Sequence, residues 1–170
     1  MDEHLQMAEG MLMVKIVTAT VEEEAVRALL IAHRHSELGV ERSAEADALY
    51  VARSDKPDVS LWAAWDDLTD RVLGLGALRE LSPGHGELKY IHVAEEARGH
   101  GVGSQLIDHI IHSAIERGYA ALSLETGSRD AFIPARGMYR KHGFVDCGPF
   151  GSYFEDPRSV FMTLDLPPNA

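Results

Sequence analysis

The chain has 170 residues, of which 45% are hydrophobic and 25% are charged, and it carries a formal net charge of −11 at pH 7. This composition excludes fibrous and disordered classes, and the length is sufficient for one globular domain with a real core. The acidic balance argues against binding to nucleic acid, which needs a basic face, and it favours a cationic partner.

The start of the chain and its single cysteine bear on location. Residues 1–10 are acidic and are predicted to be an N-terminal tail, followed by a single domain over residues 11–170. This start lacks the basic character of a secretory signal, and no apolar run approaches the length of a membrane span. The one cysteine, Cys147, excludes an intramolecular disulfide, suits a reducing compartment and is predicted to be a small buried side chain. We therefore expect a cytoplasmic protein that does not contact a membrane.

The first predicted elements are a strand and a helix. Residues 12–18 have a strand pattern, and Thr20, which is followed by glutamates, is a candidate helix N-cap with a favourably charged first turn. The apolar face of this helix fades near His33 and His35, which suit a helix C-terminus. Between residues 37 and 58 the periodicity weakens, and Lys56-Pro57 predicts a loop.

A hairpin and a further strand are predicted next. Residues 61–65 and 72–78 are apolar runs on either side of a polar segment, a pattern typical of antiparallel strands. Residues 82–86 contain proline and glycine and predict a second turn, which leads into a strand with Glu87 near its start. These elements form the first part of a mixed α/β layer.

The most informative stretch runs from residue 87 to residue 118 and predicts a strand, a glycine-rich turn and an amphipathic helix. Apolar residues recur at the spacing of one helical face between residues 105 and 117, and Gly118 is placed to end the helix. In the turn, three glycines alternate with other residues where the helix begins, so the backbone can bend sharply and approach a ligand. Unpaired N–H groups and the positive end of the helix dipole meet there beside Arg98, which predicts a site for phosphate or pyrophosphate.

Two classes of nucleotide-binding protein use such a turn. The spacing Gly99-x-Gly101-x-x-Ser104 is close to the dinucleotide fingerprint, and Glu125 ends the next strand where a ribose-binding acid is expected. A doubly wound dinucleotide domain needs further strand–helix units after that point, whereas the rest of the chain predicts one short helix and two strands. An NAD-binding oxidoreductase is therefore the less favoured alternative.

The turn and the C-terminal part of the chain resemble a known family. Arg98-x-x-Gly101-x-Gly103 is similar to the signature with which the GNAT superfamily, the GCN5-related N-acetyltransferases, binds the pyrophosphate of acetyl-CoA. Residues 135–144, which contain a tyrosine and a Gly-Phe pair, resemble the family's late helix and the turn that follows it. Two further runs, LSLETGS and DPRSVFM, resemble a bacterial subgroup without a settled substrate.

The resemblance implies a fold and a reaction. The fold is α/β (α+β): a single domain with a mixed, mostly antiparallel twisted sheet, flanked by helices and with splayed central strands. Acetyl-CoA would be the co-substrate, and a neutral primary amine of a small molecule or peptide would attack the thioester directly, so that CoA leaves as a thiolate. The competing function on this fold is a non-catalytic acyl-CoA-binding module, and a homodimer stays open.

The resemblance also implies site residues. Backbone N–H groups after a bulge in the central strand would bind the thioester oxygen and pantetheine. The glycine-rich turn of residues 98–104, called the glycine turn below, would bind the pyrophosphate. The cofactor-binding candidates are Ile91, His92, Val93, Arg98, Gly99, His100, Gly101, Val102, Gly103, Ser104 and Tyr139. Tyr139 would also protonate the leaving thiolate, because a phenol carries its proton at neutral pH. Glu87 is the first candidate for the general base, followed by Glu125 and His92.

Two features of the sequence complicate this interpretation. Many family members have an asparagine that contacts pantetheine near the position of Phe132. Because this chain has phenylalanine there, the resemblance does not identify which residues after Glu125 would contact pantetheine. His109 and His112 lie three residues apart with Asp108 adjacent, which is a spacing that suits metal ligands. They occupy the polar face of the helix without an evident third ligand, so no metal is expected.

Overall fold

The computed structural model describes residues 12–169, and the predicted N-terminal tail lies outside these residues. The strands and helices are β1 Val14–Thr18, α1 Glu24–Leu38, α2 Ala44–Ser54, β2 Val59–Asp66, β3 Arg71–Ser82, β4 His85–Val93, α3 Val102–Glu116, β5 Ala121–Gly127, α4 Ile133–Lys141, β6 Val145–Cys147 and β7 Ser159–Asp165. Short 3-10 turns over Glu95–Ala97 and Asp130–Phe132 precede α3 and α4.

The strands form one sheet in the order β1-β2-β3-β4-β5-β7-β6. Every neighbouring pair is antiparallel except β4 and β5, which are parallel and are connected through α3. This mixed, mostly antiparallel sheet confirms the predicted fold class. A doubly wound dinucleotide domain would need a mostly parallel sheet, so the topology counts against the oxidoreductase alternative.

The two central strands diverge after a short shared stretch. β4 pairs with β5 only from His85 to Glu87, while β5 continues along β7. A bulge lies in the diverging part of β4, where Tyr90 and Ile91 stand opposite the single residue Gly76 of β3. The backbone of Tyr90 has φ +59°, which is uncommon for a residue other than glycine. The bulge therefore turns β4 away from β5 and leaves an opening between them.

The packing of α3 explains why the sheet accepts this bulge. Leu106, Ile107, Ile110 and Ala114 are fully buried against the sheet, as the helical pattern predicted. A Cβ at Gly76 would stand 2.7 Å from Ile91 Cδ1 and 2.9 Å from Ile110 Cδ1. Glycine at this position therefore allows the bulged strand and α3 to close on β3 together.

Two local predictions are wrong, and one helix was not predicted. Thr20 is not the N-cap of α1, because the helix begins at Glu24 after Glu23, whose carboxylate accepts a hydrogen bond from the Thr20 N–H at 3.2 Å. The stretch of weak periodicity between residues 37 and 58 contains the helix α2, capped by the Ser43 hydroxyl, and the predicted loop at Lys56 and Pro57 follows it. Cys147 is half-buried on β6, at the edge of the sheet, and not in the core as predicted.

The remaining predicted elements are confirmed. The hairpin of β2 and β3, the turn before β4, and the helix and two strands after Glu125 are all present. Gly118 follows α3 with φ +79°. No helix within residues 12–169 combines the length and the apolarity that a membrane crossing requires.

Candidate active site

A cleft of about 720 Å³ occupies the opening between β4 and β5 and extends under α1, α2 and the segment before α4. Several residues that the sequence singled out line this one cavity, namely Glu87, Ile91, His92, Arg98, Glu125 and Tyr139. Val93 and residues 99–104 are outside its wall and follow Ile91 and His92 along the chain toward the start of α3. The topology thus brings the predicted acid, the predicted bases and the entrance to the glycine turn to one place.

The glycine turn has the geometry of an anion-binding helix start. Gly99 and Gly101 adopt φ +82° and +80°, and Gly101 is the N-cap of α3. The first intrahelical bond runs from the Gln105 N–H to the Gly101 carbonyl at 3.1 Å, so the N–H groups of residues 102–104 are the unpaired donors typical of a helix start. A Cβ built on Gly99 or Gly101 meets no described atom within 4 Å. This open backbone fits a phosphate group.

The side chains around the turn have other contacts. Arg98 donates from Nε to the Val93 carbonyl at 3.3 Å, which ties the turn to the end of β4 and keeps its charge beside the cleft. Val102 is buried, and the Ser104 hydroxyl lies 3.1 Å from Nε2 of His142, the residue that follows α4. His100 is exposed. Residues 102 and 104 are therefore suited to reach an anion through backbone N–H groups.

Tyr139 projects from α4 into the cleft and is 8% exposed. Its ring packs edge-on against Phe144, with 6.0 Å between the ring centroids. Burial raises the pKa of the Tyr139 phenol above its ordinary value, followed by smaller effects of Glu37 and Glu125. The hydroxyl therefore keeps its proton at neutral pH and can act as a donor.

Glu87 is a buried carboxylate, 1% exposed, at the point where β4 and β5 separate. Its Oε2 accepts a hydrogen bond from the Tyr153 hydroxyl at 2.6 Å. Its Oε1 lies 3.7 Å from Arg79 Nη1 and 4.0 Å from Lys89 Nζ, but forms no hydrogen bond within the described part of the chain. A buried oxygen without a hydrogen bond is unusual, and this one has the capacity to accept a hydrogen bond from a bound molecule or water.

Glu125 lies on β5, at the wall formed by the other strand of the opening. Burial raises the pKa of its carboxyl group, against a smaller opposing effect of a hydrogen bond with Ser159. A carboxylate with a raised pKa binds a proton more readily near neutral pH. Glu87 and Glu125 thus give the cleft two acidic side chains in different surroundings.

A chain of polar contacts leads from the cleft along α1. The Nδ1 atoms of His92 and His33 lie 3.3 Å apart, and His33 Nε2 lies 3.4 Å from Glu37 Oε1. Burial lowers the pKa of His92 to about 4, and the positive charges of His33 and Arg98 act in the same direction. His92 is therefore neutral at physiological pH.

The lowered pKa of His92 predicts a pH-dependent stability. An unfolded histidine binds a proton near pH 6.5, whereas folded His92 does so only near pH 4, so its contribution to stability is complete above pH 6.5 and is lost as the pH falls toward 4. Because the side chain is partly exposed, we expect a loss of about 1–2 kcal/mol over this range. Urea unfolding of wild type and His92→Gln at several pH values measures it. Parallel curves for the two proteins would contradict the assignment.

Several residues of the cleft were not indicated by the sequence pattern. Tyr50 and Tyr90 pack edge to face with 5.7 Å between centroids and support the bulge. Tyr153 lies in the loop between β6 and β7 and packs on Phe150 and Phe161. Three aromatic residues close together in that loop, Phe150, Tyr153 and Phe154, were the available signal.

Phe132 and the histidines of α3 also have structural explanations. Phe132 lines the cleft, and its ring packs directly on Gly127, where a Cβ would collide with it. His109 packs against Trp62, and His112 Nδ1 donates to the Asp108 carbonyl at 2.8 Å. Within residues 12–169 no three His, Cys, Asp or Glu side chains are grouped as metal ligands.

Comparison with known proteins gives a consistent result. The sequence profile of a family described as "Acetyltransferase (GNAT) family" matches residues 22–144. The chain is 42% identical over 141 residues to "Uncharacterized N-acetyltransferase YsnE" of Bacillus subtilis, covering 83% of this chain and 92% of that protein. It is 43% identical over 112 residues to "IAA acetyltransferase" of Azospirillum brasilense, covering 65% of this chain and 71% of that protein.

A solved structure shares the fold. The crystal structure of an acetyltransferase of the GNAT family from Staphylococcus aureus aligns with a TM-score of 0.72 at 19% identity, covering 91% of this chain and 99% of that one. At this identity the likeness supports the fold alone. The two proteins therefore share their overall fold.

Proposed function

The chain belongs to the acetyltransferase (GNAT) family and is an acyltransferase, and from this premise we propose that it transfers an acetyl group from acetyl-CoA to a primary amine of a small molecule or peptide. The observation that carries the proposal is the cleft between β4 and β5, which adjoins the glycine turn and holds a protonated phenol and two carboxylates. The acidic composition and the single cysteine support a cytoplasmic location.

In this proposal the glycine turn and β4 bind the co-substrate. The N–H groups of residues 102–104, together with Arg98, hold the pyrophosphate of acetyl-CoA. After Glu87 the strand β4 has no partner among the described residues on its β5 side, so the backbone N–H groups within residues 91–93 that point to that side donate to the thioester oxygen and to pantetheine. Acetyl-CoA supplies the activated acetyl group.

Two side chains of the cleft transfer the protons of the proposed reaction. Glu87 Oε1 accepts a proton from the ammonium form of the acceptor, and the neutral amine then attacks the thioester carbon. Tyr139 gives its proton to the departing thiolate and regains one from the amine nitrogen, through water, after the amide has formed. One acetyl group moves from sulfur to nitrogen, and one proton is released to solvent through Glu87.

The assignment of Glu87 is tested by the pH dependence of turnover. Glu87→Gln keeps the shape of the side chain and removes its basicity, so we expect kcat to fall about tenfold to 50-fold and the acidic limb of the pH–rate profile to disappear. Glu125→Gln is the matched control, because it removes the other carboxylate of the cleft. An unshifted acidic limb and an unchanged rate in Glu87→Gln would discard Glu87 as the base.

Catalysis itself is tested by the release of CoA thiol from acetyl-CoA in the presence of a panel of primary amines, with mass spectrometry of the product. An amine whose mass increases by one acetyl group supports the proposal. Tight binding of acetyl-CoA without turnover of any amine would favour the non-catalytic acyl-CoA-binding module instead.

A further inference from the structure

The charge of the cleft differs from that of the whole chain. The chain has a net charge of −11, yet six lysine and arginine side chains line the cleft against four carboxylates. Two of the carboxylates have a basic partner within 3.5 Å, and a third, Glu87, lies beside two more distant cations without a hydrogen bond to either. Asp58 lies 3.2 Å from Arg79, Glu37 lies 3.4 Å from His33, and Glu87 is flanked by Arg79 and Lys89.

Apart from Arg98 beside the glycine turn, the cleft cations without such partners lie on one side, which we call the cationic edge: Arg34 of α1, Arg53 of α2 and Lys56 just after α2. Within the described residues, no carboxylate approaches any of the three within 4.0 Å. Arg53 and Lys56 are exposed at the rim, whereas Arg34 is partly buried in the wall. The cleft therefore has an excess of positive charge on the side formed by α1 and α2.

Arg34 is the most constrained member of the cationic edge. Its guanidinium carbon lies 4.7 Å from the centre of the Tyr50 ring, and Tyr50 packs in turn against Tyr90 at the bulge. Its Nε is buried and has no hydrogen bond within residues 12–169. Leaving a buried donor without an acceptor costs about 1–3 kcal/mol, so a bound molecule or water that supplies an acceptor beside Arg34 would be stabilised.

The other unpaired polar atom of the cleft has the opposite character. Glu87 Oε1 is a buried carboxylate oxygen that lacks a hydrogen bond, and it suits an amine. Arg34 and Glu87 thus offer one cationic and one anionic contact to a molecule in the same cavity. Planar guanidinium groups match carboxylates with two parallel hydrogen bonds.

We propose that the acceptor is an amino acid, whose amine is received at Glu87 and whose carboxylate is bound by Arg34 on the cationic edge. Tyr50 and Tyr90 provide apolar surface beside Arg34 for the body of such a molecule. This inference rests on the proposed acetyl transfer for the fate of the amine. It adds a specificity residue, Arg34, which takes no part in the chemical step.

The test compares amines that differ only by a carboxylate: L-phenylalanine with phenethylamine, and 6-aminohexanoate with pentylamine. In at least one pair, we expect the wild-type kcat/KM for the amine that carries the carboxylate (the acid) to be at least tenfold higher than for the amine that lacks it. Arg34→Ala should lower kcat/KM for that carboxylate-bearing amine about 30-fold, mainly by raising KM. It should leave kcat/KM for the matching amine without the carboxylate within twofold of the wild-type value. Arg34→Lys should retain part of the preference, because lysine keeps the positive charge but cannot form the two parallel hydrogen bonds of a guanidinium group.

A matched control comes from the same helix. Arg27 of α1 donates to the Val21 carbonyl at 2.8 Å and is not part of the cleft wall, so Arg27→Ala should leave the preference for the acid unchanged. Equal losses for acid and amine in Arg34→Ala would overturn the inference, as would a wild type that favours the plain amines.

Direct binding separates this inference from the proposed function. Calorimetry of L-phenylalanine, 6-aminohexanoate and their amines is carried out on the protein with and without CoA. Carboxylate-dependent binding that Arg34→Ala abolishes supports the inference even if no amine is acetylated, in which case the proposed function alone fails. Acetylation of plain amines without any carboxylate-dependent binding or preference overturns the inference alone.

Discussion

Replacing Gly101 by valine will lower the affinity for acetyl-CoA at least about 200-fold. Gly101 has φ +80°, which a β-branched residue avoids, and it is the N-cap from which α3 presents its unpaired N–H groups. A Cβ there would enter the space that no described atom fills within 4 Å, where the phosphate is proposed to lie. Loss of two or more charge-assisted hydrogen bonds, each worth about 1.5–3 kcal/mol, accounts for the size of the effect.

The same helix provides the control for this substitution. Gly118 follows the end of α3 with φ +79°, and a Cβ there also meets no described atom within 4 Å. Gly118→Val therefore introduces the same backbone strain far from the turn, and we expect it to lower the melting temperature without changing the dissociation constant. Equal affinities of Gly101→Val and wild type in a calorimetric titration would remove the turn from the binding site.

Tyr139→Phe will lower kcat about 100-fold to 1000-fold while the affinity for acetyl-CoA stays within about twofold. The phenol is buried in the cleft with a raised pKa, so it is protonated and can give its proton to the leaving thiolate. Removing a general acid typically costs a factor of about 10² to 10⁴. Phenylalanine preserves the ring and its packing on Phe144, so the fold should be unaffected.

Tyr119 is the matched control for Tyr139. Both tyrosines are 8% exposed, but Tyr119 packs against Gly86 in the core and is not part of the cleft wall. Tyr119→Phe should therefore leave kcat unchanged. Turnover and product release are measured for both variants by pre-steady-state and steady-state assays of CoA thiol. Wild-type turnover in Tyr139→Phe with a competent amine would remove the phenol from the mechanism.

Periodicity and turn chemistry predicted much of the fold. α3 has a continuous apolar face that is buried as expected. The glycines at 99 and 101 allow the sharp bend that was predicted, and both have a positive φ in the structure. Such local signals depend on a few adjacent residues, so they can be recognised without knowledge of the tertiary contacts. The mostly antiparallel sheet with splayed central strands and the role of Tyr139 came from the family resemblance and not from the pattern alone.

The missed features depend on contacts between distant parts of the chain. α2 buries only Tyr50, Val51 and Ser54, so its apolar face is too narrow to give a clear helical period. The Ser43 cap, followed by acidic residues in the first turn, was a signal that was overlooked.

The acceptor side of the cleft could not be predicted for the same reason. Arg34 belongs to α1 and Glu87 to β4, while Tyr153 lies 66 residues beyond Glu87 in the chain and still donates to it. No spacing rule connects residues so far apart. Arg34 and Tyr153 are thus visible only once the sheet and helices are assembled, whereas Glu87 was predicted from the family resemblance.

Calorimetric titration of the wild-type protein with acetyl-CoA, with NAD and NADP as controls, tests the central claim most directly. We expect acetyl-CoA to bind with a dissociation constant in the micromolar range and the two dinucleotides to give no heat of binding. Binding of NAD or NADP instead, or of none of the three, would contradict the proposed use of the glycine turn and of the cleft between β4 and β5.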